Sequence, residues 1–432
     1  MDLLSQRKIA DDGRRHSSGH KLRKCDLSHK KAATMAEPTT DSLKTIRVDI
    51  WHNLLWSRYK ARVFSALHER ARTAGAQFRF FQISETDSDR NELSPIDRIS
   101  HAYPYSLLFA SSYDAIPRVR LLVRTFWLTF VLPADLVVLA GYGRPEYWGQ
   151  LVAALITGKK VAAFCDSTLY DSGRNALKWV LKRIFLSACT GVFCYGQRSV
   201  EYLQALGVPR GRIWIRCQAA AFTEGYAPQH ALQERIARAP DVSRPRYLFV
   251  GRLAKVKNLD ILLRAFRTVL EKRPHASLAI VGAGPEEQHL RALIRVLRLE
   301  KSVEMLGSKT DQELYDEYLK ASGLVLPSSR EPWGLVVNEA LSFGCPVVVS
   351  DHCGCVPELV VDGKTGFVVR CDDVEDLAVK MDRAVSVFSD TAKAAQECID
   401  HIAPYSSERA ALQIYYGCVE MLSQTKHEAM RA

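Results

Sequence analysis

Disulfide and zinc frameworks are missing from this sequence. Its 11 Cys are an odd number without regular spacing. The closest pair, Cys353 and Cys355, has no second Cys or His pair to complete a metal set. Free thiols in a reducing compartment are therefore expected. No secretory signal opens the chain, because residues 1–34 are polar and basic without an apolar centre. No apolar run reaches the length of a membrane span; the best stretch, Leu121 to Leu139, is broken by Arg124, Pro133 and Asp135. A cytoplasmic protein is expected, with at most peripheral contact at the inner membrane face. The dinucleotide fingerprint is also absent, since Glu287 stands where a third small residue should follow Gly282-Ala283-Gly284-Pro285. That counts against a dehydrogenase, and the lack of any known nucleic-acid module counts against DNA or RNA binding.

What is present reads as a globular protein of two domains. Of 432 residues, 47% are hydrophobic and 25% charged, and a chain of this length exceeds one ordinary core. The formal charge is +11; residues 1–44 carry ten Lys/Arg against six Asp/Glu, leaving about +7 for the rest. A basic surface suits anionic partners: nucleic acid, anionic lipid or anionic small molecules. Residues 1–43 lack periodicity and read as a disordered basic tail, with Met35 an alternative start.

From Thr45 onward, short apolar strands alternate with amphipathic helices. Strands are expected at Thr45–Ile50, Gln77–Ile83, Ser106–Ala110, Asp135–Ala140, Lys160–Cys165 and Gly191–Tyr195, and helices at Ser57–Ala74, Arg118–Val131, Tyr147–Thr157, Arg174–Ala188 and Ser199–Ala205. A polar stretch interrupts this pattern, and a second series starts at Tyr247. The expected organisation is an N-terminal Rossmann-like domain over 44–222, a linker over 223–245, a C-terminal Rossmann-like domain over 246–403, and a terminal helix over 404–432 that packs back on the first domain. Such alternation predicts an α/β fold, two doubly wound Rossmann-like parallel sheets facing a cleft.

Ligands of open α/β sheets bind beyond the carboxyl ends of the strands, which singles out the loops of the second domain. Gly251-Arg252 and Lys257 follow its first strand, two cations where phosphate would bind. Lys309 and Thr310 follow the third. The fourth strand leads through Pro327-Ser328-Ser329-Arg330-Glu331-Pro332-Trp333-Gly334-Leu335 into a helix carrying Glu339. A strand–loop–helix junction presents free N–H groups and a positive helix end, a natural anion site. Trp333 looks exposed there. The competing reading is an ordinary loop with two surface glutamates.

Taken in order, Gly251-Arg252, Lys257, Gly282-Ala283-Gly284-Pro285, Gly307, Glu331 to Leu335, Glu339-Ala340-Leu341, Gly344-Cys345-Pro346 and Gly363-Lys364-Thr365-Gly366 resemble the donor half of retaining glycosyltransferases of family 4, also called group 1, with the GT-B fold. The match covers 246–387. The resemblance implies transfer of a sugar from a UDP-, GDP- or ADP-linked donor to a glycan or lipid-linked acceptor, as in polysaccharide biosynthesis. It implies no cofactor or metal. Arg252 and Lys257 would hold the diphosphate, Glu331 the sugar hydroxyls, and Glu339 the ribose. Gly251 belongs to the phosphate turn. Backbone N–H groups of Trp333, Gly334 and Leu335 would approach sugar and phosphate, and Lys309 and Thr310 would border the base. A nucleotide-sugar epimerase, a phosphorylase or a catalytically silent subunit with the same fold are the alternatives.

The first domain departs from the family. Trp51-His52-Asn53 to Arg58-Tyr59 replaces its usual Gly-rich turn, so His52 or Arg58 is open to a phosphate or acceptor role, the alternative being a packed His and a surface Arg. Asp166 is the best cleft-facing polar residue and the catalytic candidate on this side. Gly141 to Trp148 is an aromatic loop that suits either a sugar acceptor or plain packing. Arg174, Lys178, Lys182 and Arg183 line a helix beside Trp179, Val180, Ile184 and Phe185, a pattern that fits anionic lipid or a sheet-covering helix with exposed cations.

Overall fold

The computed structural model describes residues 46–88, 90, 96–171, 175–222 and 225–424. The tail over 1–43 and Arg174 lie outside the described residues. The first sheet contains β1 (Arg47–Leu54), β2 (Gln77–Thr86), β3 (Tyr105–Ser112), β4 (Leu136–Leu139), β5 (Lys160–Cys165), β6 (Gly191–Cys194) and β7 (Ile213–Trp214). Its order is β3-β2-β1-β4-β5-β6-β7, with every pairing parallel. Between these strands run α1 (Arg58–Thr73), α2 (Arg118–Val131), α3 (Pro145–Ile156), α4 (Ala176–Ala188) and α5 (Gln197–Ala205). α6 (Pro228–Ala237) follows, inside the stretch expected to be a linker. Its Ala231 and Arg235 are buried, and Arg235 donates to the carbonyls of Tyr318 and Leu319 at 3.1 and 2.8 Å. The helix is therefore part of the second domain's wall. Its mixed pattern, Pro228-Gln-His-Ala-Leu, hid it from periodicity.

The second sheet is made of β8 (Arg246–Val250), β9 (Ser277–Val281), β10 (Val303–Gly307), β11 (Gly323–Leu326), β12 (Val347–Ser350) and β13 (Gly366–Val369), again all parallel, in the order β10-β9-β8-β11-β12-β13. Around it lie α7 (Leu259–Lys272), α8 (Glu287–Val296), α9 (Asp311–Lys320), α10 (Leu335–Ser342), α11 (Val356–Leu359), α12 (Val374–Val387) and α13 (Thr391–Ile402), with α14 (Ser407–Ser423) last. Both sheets are the doubly wound kind that the alternation predicts.

Handedness decides which helix covers which face. Crossovers between parallel strands are right-handed. The strands β3, β4, β5, β6 and β7 succeed one another in one direction across the sheet, so α2, α3, α4 and α5 share a face. The β1-to-β2 step runs the other way and puts α1 behind. The cores agree: Val137 and Leu139 join Leu121, Leu151 and Phe185 on one side, while Leu136 and Val138 join Phe64 and Leu67 on the other. α14 closes that second side, with Ala411, Ile414, Cys418 and Met421 in the α1 cluster. Lys160 Nζ caps it by donating to Met421 O at 2.6 Å and Gln424 O at 2.8 Å. A chain that leaves the second domain thus ends inside the first.

Candidate functional site

Three loops of the second domain meet at the carboxyl edge of its sheet. After β8, Gly251 turns the chain and a 3-10 turn, Lys255–Lys257, carries Lys257 forward. The Gly282–Gly284 turn lies directly against it: a Cβ on Gly282 would sit 1.9 Å from Gly251 O, and one on Gly284 2.5 Å from Leu253 O. Only glycine permits that approach. The loop after β11 is tied to its neighbours by backbone bonds, Ser329 N to Val256 O at 2.9 Å, Gly354 N to Glu331 O at 2.8 Å and Cys355 N to Trp333 O at 3.0 Å. Gly334, at φ 99°, then lets the chain enter α10.

This geometry brings Lys257 and Glu331 together. Lys257 Nζ is ion-paired with Glu331 Oε2, and both side chains are mostly buried. Arg252 is half-buried in the same turn. Glu339, one turn into α10, accepts a hydrogen bond from the Tyr318 hydroxyl at 2.6 Å. Burial pushes its carboxyl up to about 7, against the opposing pull of Tyr318 and of Arg58. Lys309 is half-buried and Thr310 exposed at the start of α9.

The Glu339 environment sets a pH dependence. In the ribose-holding role that the resemblance implies it accepts hydroxyls as a carboxylate, so in that role affinity for a nucleotide sugar is expected to weaken as pH falls through about 7. A nucleotide sugar suits the test because its diester phosphates do not titrate in that range. Tyr318→Phe deletes a bond that favours the ionised form and should move the midpoint upward; Glu339→Gln should flatten the profile. Calorimetric titration across this range checks it, and a flat wild-type profile would remove Glu339 from the ligand contacts. Folding has the opposite dependence: the raised carboxyl makes it less favourable as pH rises from about 4.5 to about 7.

Trp333 requires a correction. It looks exposed in sequence, between Pro332 and Gly334, but only 3% of it is accessible. Its Nε1 donates to Asn338 Oδ1 at 2.8 Å, and its ring meets Tyr195 edge-on at 6.3 Å. The indole is core, and the backbone carbonyl accepts from Cys355 N–H.

Of the polar residues that link the domains, Arg58 alone is singled out in sequence, and for a phosphate or acceptor role. Arg58 pairs with Asp311 at the start of α9 and with Asp97 at 3.1 Å, so it bridges the cleft. Arg198 on α5 donates to Asp351 O, and Gln197 N–H to Glu358 Oε1. Burial raises the Glu358 carboxyl to about 7. A Cβ on Gly196 would fall 2.5 Å from the Trp333 ring and 2.4 Å from Glu358 Oε1. Their signal is not periodic; each depends on where the other domain lies.

Asp166 does not join the Lys257–Glu331 group. It is exposed beyond β5 and lines a first-domain cavity of about 240 Å³ with His52, Lys60, Arg90, Arg144 and Tyr195. Burial drives His52 down to about 3, as a neutral ring held at Leu54 O and Gln82. Lys60 lies over the Phe164 and Tyr195 rings, and burial lowers it to about 8. The aromatic loop resolves as packing: Tyr142 donates to Ser167 Oγ at 2.8 Å, Tyr147 to Asn53 Oδ1 at 2.5 Å, and Trp148 meets Phe185. A larger cavity of about 790 Å³ sits between α1, α13 and α14, and none of the predicted site residues lines it.

Comparison with known proteins finds likenesses that include these loops. Residues 233–397 match the family described as glycosyl transferases group 1. Over 172 residues the chain is 33% identical to D-inositol 3-phosphate glycosyltransferase of Corynebacterium aurimucosum, covering 38% of this chain and 41% of that one. The chain spans about two fifths of the length of that relative. Among solved structures, a glycosyltransferase from Rickettsia africae superposes with a TM-score of 0.67 at 16% identity, covering 89% of this chain and all of that one. Anabaena Alr3699/HepE in complex with UDP and glucose gives 0.65 at 17%, covering 87% and 99%. At such identity the likeness to the solved structures is one of fold alone, while the family match lies over residues 233–397.

Proposed function

We propose that this protein is a retaining glycosyltransferase of family 4 that moves a sugar from a nucleoside-diphosphate donor to a glycan or lipid-linked acceptor. The observation that carries the reading is the Lys257–Glu331 pair at the mouth of β8 and β11, with Arg252 and Glu339 on the same loops. Arg252 and Lys257 take the diphosphate, and the positive end of α10 adds to their field. When Lys257 turns to phosphate, Glu331 is released to accept hydroxyls of the donor sugar. Glu339 grips the ribose, while Lys309 and Thr310 border the base. The bond from the anomeric carbon to the phosphate oxygen breaks as the acceptor oxygen bonds to the same carbon, and the acceptor's proton passes to the departing phosphate. Asp166 and the cavity around it receive the acceptor. The two cations supply the charge that the departing diphosphate needs, so the reading assigns no metal or cofactor.

A panel of UDP-, GDP- and ADP-sugars screened by thermal unfolding tests this. The right donor at a hundred times its Kd should stabilise the protein by about 2.7 kcal/mol, with or without a chelator. Release of nucleoside diphosphate in the presence of acceptor should follow. No stabilisation by any donor, and no diphosphate release, would sink the reading; acceptor-independent conversion of the donor would instead make it an epimerase or phosphorylase.

A further inference from the structure

The helices α2, α3 and α4, which cover one face of the first sheet, carry apolar side chains on their outer as well as their inner sides. On α2 the residues turned to the sheet are Leu121, Thr125 and Thr129. On the opposite side, Val119, Val123, Trp127 and Phe130 follow each other at helical spacing and are exposed, Trp127 by 59% and Val119 by 74%. An ordinary surface helix puts its apolar stripe inward; here threonine is inside and tryptophan outside. α3 adds Leu155 and Ile156, both exposed. α4 buries only Phe185 and Leu186 and exposes Leu177, Val180 and Ile184.

These helices form one surface. A Cβ on Gly149 of α3 would lie 3.2 Å from Leu122 of α2, and Trp148 of α3 meets Phe185 of α4 at 5.1 Å. Of the 23 exposed large hydrophobic residues recorded among the described residues, 13 fall on these three helices. Patches of this kind mark interaction sites.

Charge identifies the occupant. Arg118, Arg120, Arg124, Lys178, Lys182 and Arg183 stand on the same helices, whereas their one acidic residue, Glu146, is 2% exposed. A second copy of the chain docked face to face would bring these cations against their own images. An anionic lipid surface gives apolar depth and opposite charge together.

We propose that the α2–α3–α4 face lies on an anionic membrane surface, with Trp127, Ile156 and Leu177 entering the interface and the Lys and Arg side chains meeting the headgroups. Among the described residues no helix is long and apolar enough to cross a membrane, so the contact is peripheral. α3 starts beside Arg144, which lines the Asp166 cavity, so a membrane-borne acceptor would be delivered next to that cavity. The lipid contact itself is independent of the transfer chemistry.

Co-sedimentation of the full chain with phosphatidylglycerol or phosphatidylcholine vesicles reads binding without turnover. Binding should favour phosphatidylglycerol and weaken with salt. Lys178→Gln/Arg183→Gln should lower partitioning into phosphatidylglycerol about thirtyfold, roughly 1 kcal/mol for each cation. Trp127→Ser/Ile156→Ser should lower it at least about tenfold. All four positions are exposed, so circular dichroism should be unchanged. Equal binding to both lipids would overturn the proposal. So would vesicle binding that neither double variant alters, which would assign it to the basic residues before Thr45. Absent vesicle binding, with concentration-dependent dimers that Trp127→Ser/Ile156→Ser abolishes, would give the face to a second copy instead.

Discussion

Lys257→Ala is expected to lower turnover of the nucleotide-sugar donor by about 10²- to 10³-fold, the usual loss when one fixed group stabilising developing charge is removed. In the proposed transfer the charge builds on the diphosphate as the bond to the sugar breaks. Lys257 is positioned for it by a 3-10 turn whose last residue before α7, Asn258, adopts φ 54° and anchors its amide on Asp372 Oδ1 at 2.6 Å. The ammonium is therefore held by the fold before any ligand arrives, and ordering it costs little. The same substitution strands the Glu331 carboxylate, of which 14% is accessible, so some stability should be lost as well. Glu331→Gln separates the two effects, because it removes the carboxylate but leaves a group that can still meet a hydroxyl. Steady-state release of nucleoside diphosphate, with the denaturant midpoint of each variant beside it, makes the distinction. Turnover of Lys257→Ala within a few-fold of wild type, in a folded protein, would take Lys257 out of the reaction.

What could be read from sequence follows from how local each signal is. Gly251, Gly282 and Gly334 occur where strands end, and the positive φ or close approach that each satisfies belongs to a single turn or to neighbouring ones. Lys257, Glu331 and Glu339 could therefore be placed at one sheet edge from their strand-to-helix positions alone. The alternation of apolar runs gave α2 with the residues at which it begins and ends in the structure. Periodicity identified α2 as a helix, yet it does not say which side is inside; only the fold reveals that Thr125 and Thr129 face the sheet while Trp127 faces out.

Illegible features share one cause: they need a partner far along the chain. Arg58 reads as a surface cation until Asp311, 253 residues later, stands opposite it. Glu358 reads as one more helix glutamate until Gln197 and Gly196 close over it. α6 lacks a clean stripe because it rests on α13 and α9 through Ala231 and the aliphatic stem of Arg235 rather than through a row of large side chains. The first-domain cavity draws on β1, α1, β4, β5 and β6 together, so no window of sequence contains it.

Trp333 joins the two kinds of information, and its substitution should have the largest effect on stability. Trp333→Ala is expected to cost about 3–5 kcal/mol, the range for emptying a buried aromatic site. The indole fills space between the β11–α10 turn and the β6–α5 turn, where Gly196 leaves no room for a side chain, and the structure around it cannot collapse without moving Glu331. Trp333→Phe keeps most of that volume but leaves Asn338 Oδ1 without its donor, so about 1–2 kcal/mol is expected. Denaturant midpoints order the variants, and the donor KM tells what the ring is for. If the indole stacked on the donor sugar, Trp333→Phe would raise KM at little cost in stability. If it is core, as its burial requires, KM should hold near the wild-type value while the midpoint falls. A Trp333→Ala protein as stable as wild type would refute the packing role. The turn holds Glu331 in place because its most conspicuous side chain is packed against Tyr195 and Gly196 of the first domain.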